Sequence, residues 1–235
     1  MSTFSHFCPE HTVMLLVIAI AVITGLLILR RSSDNGTQRS AVILSVGLFL
    51  AEALQDIILV TEGRNIIDCL PLHLCNLGIF VNLIASLTKG RFQSFFAEIS
   101  LVLIMPGSAA ALLFPDWTYR PFWSAVSMLC FFTHSLLVFI PLLFLVTKKV
   151  RVTFKHFWYP LLFLTVIVPP IYLLDRNAGV NYMFLMYPPE SSPLEFIHNL
   201  TGDTYYIAGL IVLILLILFF EYGFYSVFFK LTRRK

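Results

Sequence analysis

Two histidines set in apolar sequence are the residues best suited to chemistry in this chain. His73 lies in the run PLHLCN at 71–76, and His134 lies in a long apolar stretch at 122–146. Imidazole titrates near neutral pH and can act as a general base, whereas hydrocarbon does not solvate ionisable side chains. The pair therefore favours a polar pocket in which both rings act on a bound molecule.

Carboxylates and amides accompany these histidines. Glu52 and Asp56 are four residues apart in an apolar segment, so they share one face of a helix. Either carboxylate would orient an imidazole ring, as the third group of a catalytic triad does, although a structural tie to a basic or amide partner is an equally good interpretation. Asn76 and Asn181 are the amides expected to donate hydrogen bonds to an oxyanion at an ester carbonyl.

The four cysteines are Cys8, Cys69, Cys75 and Cys130, and none of them forms a CxxC pair. Their spacing predicts neither a zinc site nor a disulfide framework, and no metal or cofactor is expected. Should a covalent intermediate form, Cys75 and Cys130 are the candidate nucleophiles, activated by a neighbouring histidine. The favoured interpretation of both is structural, because buried thiols behave as small apolar groups.

The elements that position these residues are predicted to be membrane-spanning helices. Apolar residues make up 58% of the 235 residues and charged residues only 12%, against about 25% charged in a soluble domain. Each apolar run approaches the ~20 residues that a helix needs to cross the hydrocarbon core. The sequence therefore predicts an all-α, single-domain bundle of seven transmembrane helices, at about 12–29, 41–60, 70–87, 92–114, 122–146, 157–174 and 205–228. The segment 175–204 is too apolar for a free loop and is predicted to cap the outer face.

Basic residues predict the orientation of this bundle. One side holds only Arg64, Arg120 and Arg176 of the 16 basic residues. The other side collects Arg30, Arg31, Arg39, Lys89, Arg91, Lys148, Lys149, Arg151, Lys155, Lys230, Arg233, Arg234 and Lys235. The N-terminus is therefore expected outside and the C-terminus in the cytoplasm. Since the net charge of +3 resides at helix ends, it indicates no nucleic-acid partner.

The same orientation places the candidate site in the outer half of the bundle. His134 should lie roughly 18–20 Å below the outer end of its helix by the rise per residue, with His73 shallower. A helix tilt or a pocket open to the outer leaflet would bring the two rings together. Three further histidines lie at span edges and need no special role: His11, His156 and His198.

The stretch 71–75 resembles the LPLHLC signature of the YwaF-type integral membrane proteins of bacteria. The opening PEH at 9–11, ALLFP at 111–115, His134 and GVNY at 179–182 follow in the same order. The pattern is more distantly similar to a vertebrate phospholipid-remodelling membrane acyltransferase family, in which a Pro-Cys-His motif precedes a Leu-Leu-Phe-Pro run and a later histidine. This resemblance implies acyl transfer with His73 and His134 in the site. Leu72 stands where that family has its cysteine nucleophile, so the resemblance does not extend to a thioester mechanism.

Three functions follow from these observations. The first is an intramembrane lipid acyltransferase or lipid hydrolase that acts on an ester at the outer leaflet, with a membrane lipid as substrate. The second is a transporter or lipid-binding protein that uses the same pocket without chemistry, for which Pro106-Gly107 and Pro169-Pro170 offer helix breaks. The third, a seven-helix receptor or sensor, rests on fold-level analogy alone. A bacterial plasma membrane is the expected location, and the oligomeric state is left open.

Overall fold

The computed structural model describes residues 3–189 and 192–232. Across these residues the only β pairing is an isolated antiparallel bridge between Thr3 and Pro121. The helices are α1 (Pro9–Leu29), α2 (Asp34–Thr61), α3 (Leu74–Leu87), α4 (Gly90–Ile99), α5 (Met105–Leu113), α6 (Ala125–Val146), α7 (Trp158–Ala178) and α8 (Pro193–Thr232). The chain divides into two compact units, 1–150 and 151–235.

The predicted all-helical membrane architecture is confirmed. Among the described residues, six helical segments are long and apolar enough to cross a membrane, and α4 and α5 together form one of them. The third predicted span, 70–87, corresponds to α3, which has only 14 residues and falls short of the ~20 residues of a full crossing. The orientation of the termini stays a prediction.

Helix α3 begins at Leu74 rather than at the predicted residue 70. A short 3₁₀ turn, Ile66–Cys69, leads instead into extended backbone at Leu70 (φ −63°, ψ 138°). Pro71 explains this, because a proline disfavours helical backbone in the residue before it. His73 is consequently the N-cap residue of α3, with φ −64° and ψ 152°, and does not belong to the body of the helix.

The fourth predicted span contains a π-helical turn, Ser100–Ile104, between α4 and α5. Its backbone register is shown by the N–H of Met105, which donates to the carbonyl of Ser100. Pro106 follows directly and has no N–H to donate, so the wider turn occurs where the regular hydrogen-bond ladder is interrupted anyway. The turn packs closely on α3, since a Cβ on Gly78 would lie 2.3 Å from Ile104 Cγ2.

Polar side chains join α2, α3 and α4 at the end away from His73. The Gln93 side-chain amide donates to Gln38 Oε1 (2.8 Å) and to the carbonyl of Ala85 (3.1 Å). The hydroxyls of Ser45 and Ser86 are 3.0 Å apart. Interhelical hydrogen bonds of this kind hold helices together where burial of apolar surface provides no driving force.

His11 fastens the start of α1 to the end of α5, and it is fully buried. Its Nδ1 accepts a hydrogen bond from the Phe7 N–H (2.9 Å), so the proton is on Nε2, which donates to the carbonyl of Leu112 (2.8 Å). The ring also packs on Phe131, with a centroid distance of 5.8 Å. His11 thus lies in the first turn of α1, and the role it has there is structural, because two backbone groups need this imidazole.

The second unit consists of α7, α8 and the segment between them. Helix α7 continues through Pro169-Pro170 to Ala178, so the break expected there is absent. Helix α8 bends sharply at Gly202 (φ 67°, ψ 173°), a conformation that suits glycine because it has no Cβ. The role of 175–204 as an outer cap stays a prediction.

Candidate functional site

The structure brings His73 and His134 into electrostatic range of one another. His73 reaches this position from the N-cap of α3, and His134 from the third turn of α6. Both rings are half-buried. Two imidazoles separated by some sixty residues in sequence thus share one region of the first unit.

The hydrogen bond at His134 defines the state of its ring. Nδ1 lies 2.8 Å from the carbonyl oxygen of Cys130, and a carbonyl can only accept, so Nδ1 carries the proton. In the neutral imidazole, Nε2 then keeps its lone pair. His134 is thereby prepared to accept a proton at Nε2.

Glu52 is buried in α2 and accepts a hydrogen bond from the side-chain amide of Asn76 on α3. Asp56, one helical turn further along α2, is half-buried and interacts electrostatically with Glu52. The amide partner, one of the two alternatives left open for the carboxylates, is therefore present for Glu52. This bond also fixes the orientation of Asn76, whose amide nitrogen retains a second hydrogen to donate.

Neighbouring polar groups engage both candidate cysteines. Cys130 donates its thiol hydrogen to Gln55 Oε1 (3.2 Å), and Cys75 Sγ accepts from the Ser108 hydroxyl (3.7 Å). Burial raises the pKa of the Cys69 thiol, just outside the spans, which disfavours its reactive thiolate form. These contacts favour structural roles for the three thiols.

Asp116 and Trp117, in the loop after α5, belong to the same region, and sequence reasoning missed them. The exposed Asp116 carboxylate interacts electrostatically with both His73 and His134. The Trp117 ring lies 5.1 Å from the His134 ring between centroids, tilted by 35°, and the residue is only 4% exposed. The ALLFP run that precedes them was the available signal, because it leads directly into this acidic and aromatic pair.

The chain just after α2 and the loop after α5 are joined by polar side-chain contacts. Arg120 forms an ion pair with Glu62 (2.8 Å), and Arg64 donates to the Tyr119 hydroxyl (3.0 Å). The hydrogen bond to Glu62 raises the pKa of the Arg120 guanidinium above its ordinary value. Arg64 also interacts electrostatically with His73, on which the Asp116 carboxylate acts with the opposite sign.

Asn181 lies in the second unit and holds its own turn together. Its side-chain amide donates to the carbonyl of Tyr187 (2.8 Å), and its Oδ1 accepts from the N–H of Met186 (2.9 Å). Both ends of the side chain are therefore engaged locally. Among the described residues, no group of three or more histidine, cysteine, aspartate or glutamate side chains is arranged to hold a metal ion.

Comparison with known proteins gives one match. No curated protein and no solved structure is significantly similar to the chain. A family model does match, that of the TMEM164 family, over residues 5–222. This range covers α1 to α7, most of α8, and every residue of the site described above. The chain is a multi-pass membrane protein that belongs to the TMEM164 family.

Proposed function

We propose that this protein is an intramembrane lipid acyltransferase or lipid hydrolase that acts on an ester at the outer leaflet. The observation that carries the proposal is the state of His134, whose Nδ1–H is held by the Cys130 carbonyl at 2.8 Å. An imidazole held in this way has a lone pair at Nε2 in a fixed direction, which is what a general base requires.

The reaction needs no group beyond the substrates and these side chains. His134 Nε2 takes the proton of an acceptor hydroxyl or of water while that oxygen attacks the ester carbonyl carbon. The carbonyl π electrons move to oxygen and form an oxyanion. When the oxyanion collapses, the bond to the leaving alcohol oxygen breaks, and the imidazolium returns its proton to that oxygen. The products are a new ester or a free fatty acid, together with the released alcohol.

The other side chains have supporting roles in this proposal. His73 and Asn76 donate hydrogen bonds to the oxyanion, and Glu52 supports the reaction by holding Asn76. Asp116, which interacts with both imidazoles, stabilises the positive charge that forms on His134 during the reaction.

The sequence resemblances support the same function. The order of His73, the ALLFP run and His134 is similar to that of the phospholipid-remodelling acyltransferases, and the first part of it resembles the YwaF-type proteins. Leu72 in place of the family's cysteine fits direct transfer through a general base, without a covalent enzyme intermediate. We further propose a bacterial plasma membrane location with the N-terminus outside, as the basic residues predict.

The experiment compares single alanine variants of the purified protein in lipid vesicles. The vesicles contain phosphatidylcholine as ester donor and isotope-labelled lysophosphatidylcholine as acceptor, so that the newly acylated acceptor differs in mass from the donor, and lipid products are quantified by mass spectrometry. His134→Ala should lower turnover about 10²–10⁴-fold, as loss of a general base does, and His73→Ala should also lower it. The matched control is His156→Ala, in the second unit, which should keep wild-type turnover.

The product distinguishes the alternatives. Free fatty acid would identify a hydrolase, and a newly acylated acceptor would identify a transferase. Full activity in both His134→Ala and His73→Ala would contradict the mechanism. Lipid that moves between leaflets with its mass unchanged would instead favour the transporter or lipid-binding function.

A further inference from the structure

The Trp117 indole carries a buried hydrogen-bond donor that has no partner in the part of the chain that the structure describes. The residue is 4% exposed, and its Nε1–H has no acceptor among the described residues. Buried polar groups are nearly always paired, so an unpaired one calls for an explanation. Since the indole nitrogen can only donate, the missing partner must be an acceptor.

The position of this donor is fixed by two neighbouring rings. The Trp117 ring lies 5.1 Å from the His134 ring and 5.4 Å from the Phe131 ring, the latter in an edge-to-face arrangement at 80°. Phe131 in turn packs on His11, which is hydrogen-bonded to two backbone groups. The indole is therefore confined beside the candidate general base.

The loop around Trp117 is itself well satisfied. The Arg120 N–H donates to the Trp117 carbonyl (3.0 Å), and the Phe4 N–H donates to the Thr118 carbonyl (3.3 Å). The His6 ring nitrogen donates to the Pro115 carbonyl (3.1 Å). The main chain on both sides of Trp117 is therefore held, and the contacts with the His134 and Phe131 rings hold the indole itself.

We propose that the Trp117 Nε1–H is a substrate-binding donor, which bonds the carbonyl oxygen of the lipid ester and strengthens that bond as the oxygen becomes an oxyanion. The inference rests on the proposed function, because it supplies the acceptor from the ester on which His134 acts. The indole N–H gives the site a rigid neutral donor in addition to His73 and Asn76. Trp117 is thus a catalytic residue, since its donor touches the reacting group.

The decisive variant is Trp117→Phe, which keeps an aromatic ring against His134 and removes the N–H. Its kcat should fall about 10²-fold, as for the loss of one oxyanion donor, while KM changes little. The melting temperature of the free protein should be unchanged or higher, because an unpaired buried donor has been removed. The matched control is Trp123→Phe, an exposed position in the same unit (72% exposed), which should keep wild-type kcat. A Trp117→Phe protein with kcat within twofold of wild type, or with a raised KM as its only defect, would overturn the proposal.

A second measurement keeps Trp117 in place. The chain has three tryptophans, Trp117, Trp123 and Trp158, so the double variant Trp123→Phe/Trp158→Phe leaves Trp117 as the only indole. A long-chain alkylphosphonate ester, which imitates the tetrahedral oxyanion, should move the indole N–H resonance downfield on binding. An unchanged resonance with bound phosphonate would overturn the donor role even if Trp117→Phe does not fold.

The two proposals fail in different ways. If Trp117→Phe fully retains the transfer or hydrolysis activity of the wild type, the indole donor is refuted and the proposed function stands. A wild-type protein without activity on esters, in which the phosphonate still shifts the indole resonance, would refute the proposed function and leave the donor intact.

Discussion

A methyl group added at Gly78 should destabilise the first unit, because α3 has no room for it beside the π turn. In Gly78→Ala the new Cβ would lie 2.3 Å from Ile104 Cγ2 and 3.1 Å from Leu137 Cδ2. Carbon atoms pack at about 3.5–4.0 Å, so Ile104 must retreat by more than an ångström. Both neighbours are essentially fully buried and have no free space to move into.

The expected loss of stability in Gly78→Ala follows from two opposing contributions. Overpacking of a core costs about 1–3 kcal/mol, and replacing glycine by alanine inside a helix returns about 0.5–1 kcal/mol. The net loss therefore lies between about 0 and 2.5 kcal/mol, with a midpoint of ~1 kcal/mol. At about 2–4 °C per kcal/mol for a chain of this size, the midpoint corresponds to a fall in the melting temperature of about 2–5 °C. The change in melting temperature is measured by thermal unfolding of the purified protein in detergent micelles, with intrinsic fluorescence as the signal.

Two variants make this measurement specific. Gly47 in α2 has nothing within 4 Å of a built Cβ, so Gly47→Ala should keep or raise the melting temperature. Adding Ile104→Leu to Gly78→Ala should recover part of the loss, because leucine has no methyl branch on Cβ and its volume is the same. A Gly78→Ala protein as stable as Gly47→Ala would refute the packing argument.

Two further predictions concern the polar contacts of the site. Asn76→Leu leaves the buried Glu52 carboxylate without this donor and should lower the stability by about 1–3 kcal/mol. In the double variant Glu52→Leu/Asn76→Leu both partners are apolar, so its stability in denaturation experiments should be closer to that of the wild type. If the two substitutions instead lower the stability additively, the pairing is contradicted. Cys130→Ala removes only the thiol that donates to Gln55, so lipid turnover should stay within about tenfold of wild type, whereas loss of a nucleophile would abolish it.

The sequence was sufficient to predict the helices, for a reason specific to membranes. A chain in hydrocarbon must satisfy its backbone hydrogen bonds internally, so a long apolar run has little choice but to form a helix. Helices α1, α2 and α6 follow directly from their apolar runs. Helix α7 continues through Pro169-Pro170 for the same reason, although the prolines suggested a break.

Tertiary proximity was harder to obtain from the sequence. Asp116 and Trp117 follow the end of α5, where a carboxylate and an aromatic ring are ordinary features of a membrane interface. The periodicity of α6 does not indicate which residue of a loop will contact His134, so the contact between Trp117 and His134 could not be predicted. The π turn could not be predicted either. Pro106 indicates that the helical hydrogen-bond pattern is interrupted, but not which backbone register the neighbouring residues adopt.

The hydrogen bonds of His11 have a consequence for how the sequence of this chain can change in evolution. Both of its partners are main-chain groups, the N–H of Phe7 and the carbonyl of Leu112, and such groups persist with any side chain at those positions except proline at residue 7, which has no N–H. A mutation at residue 7 or 112 therefore calls for no compensating change at residue 11. Statistical methods that infer contacts from paired substitutions would not detect this junction, even though it ties the first helix to the end of α5, just before the loop that carries Trp117.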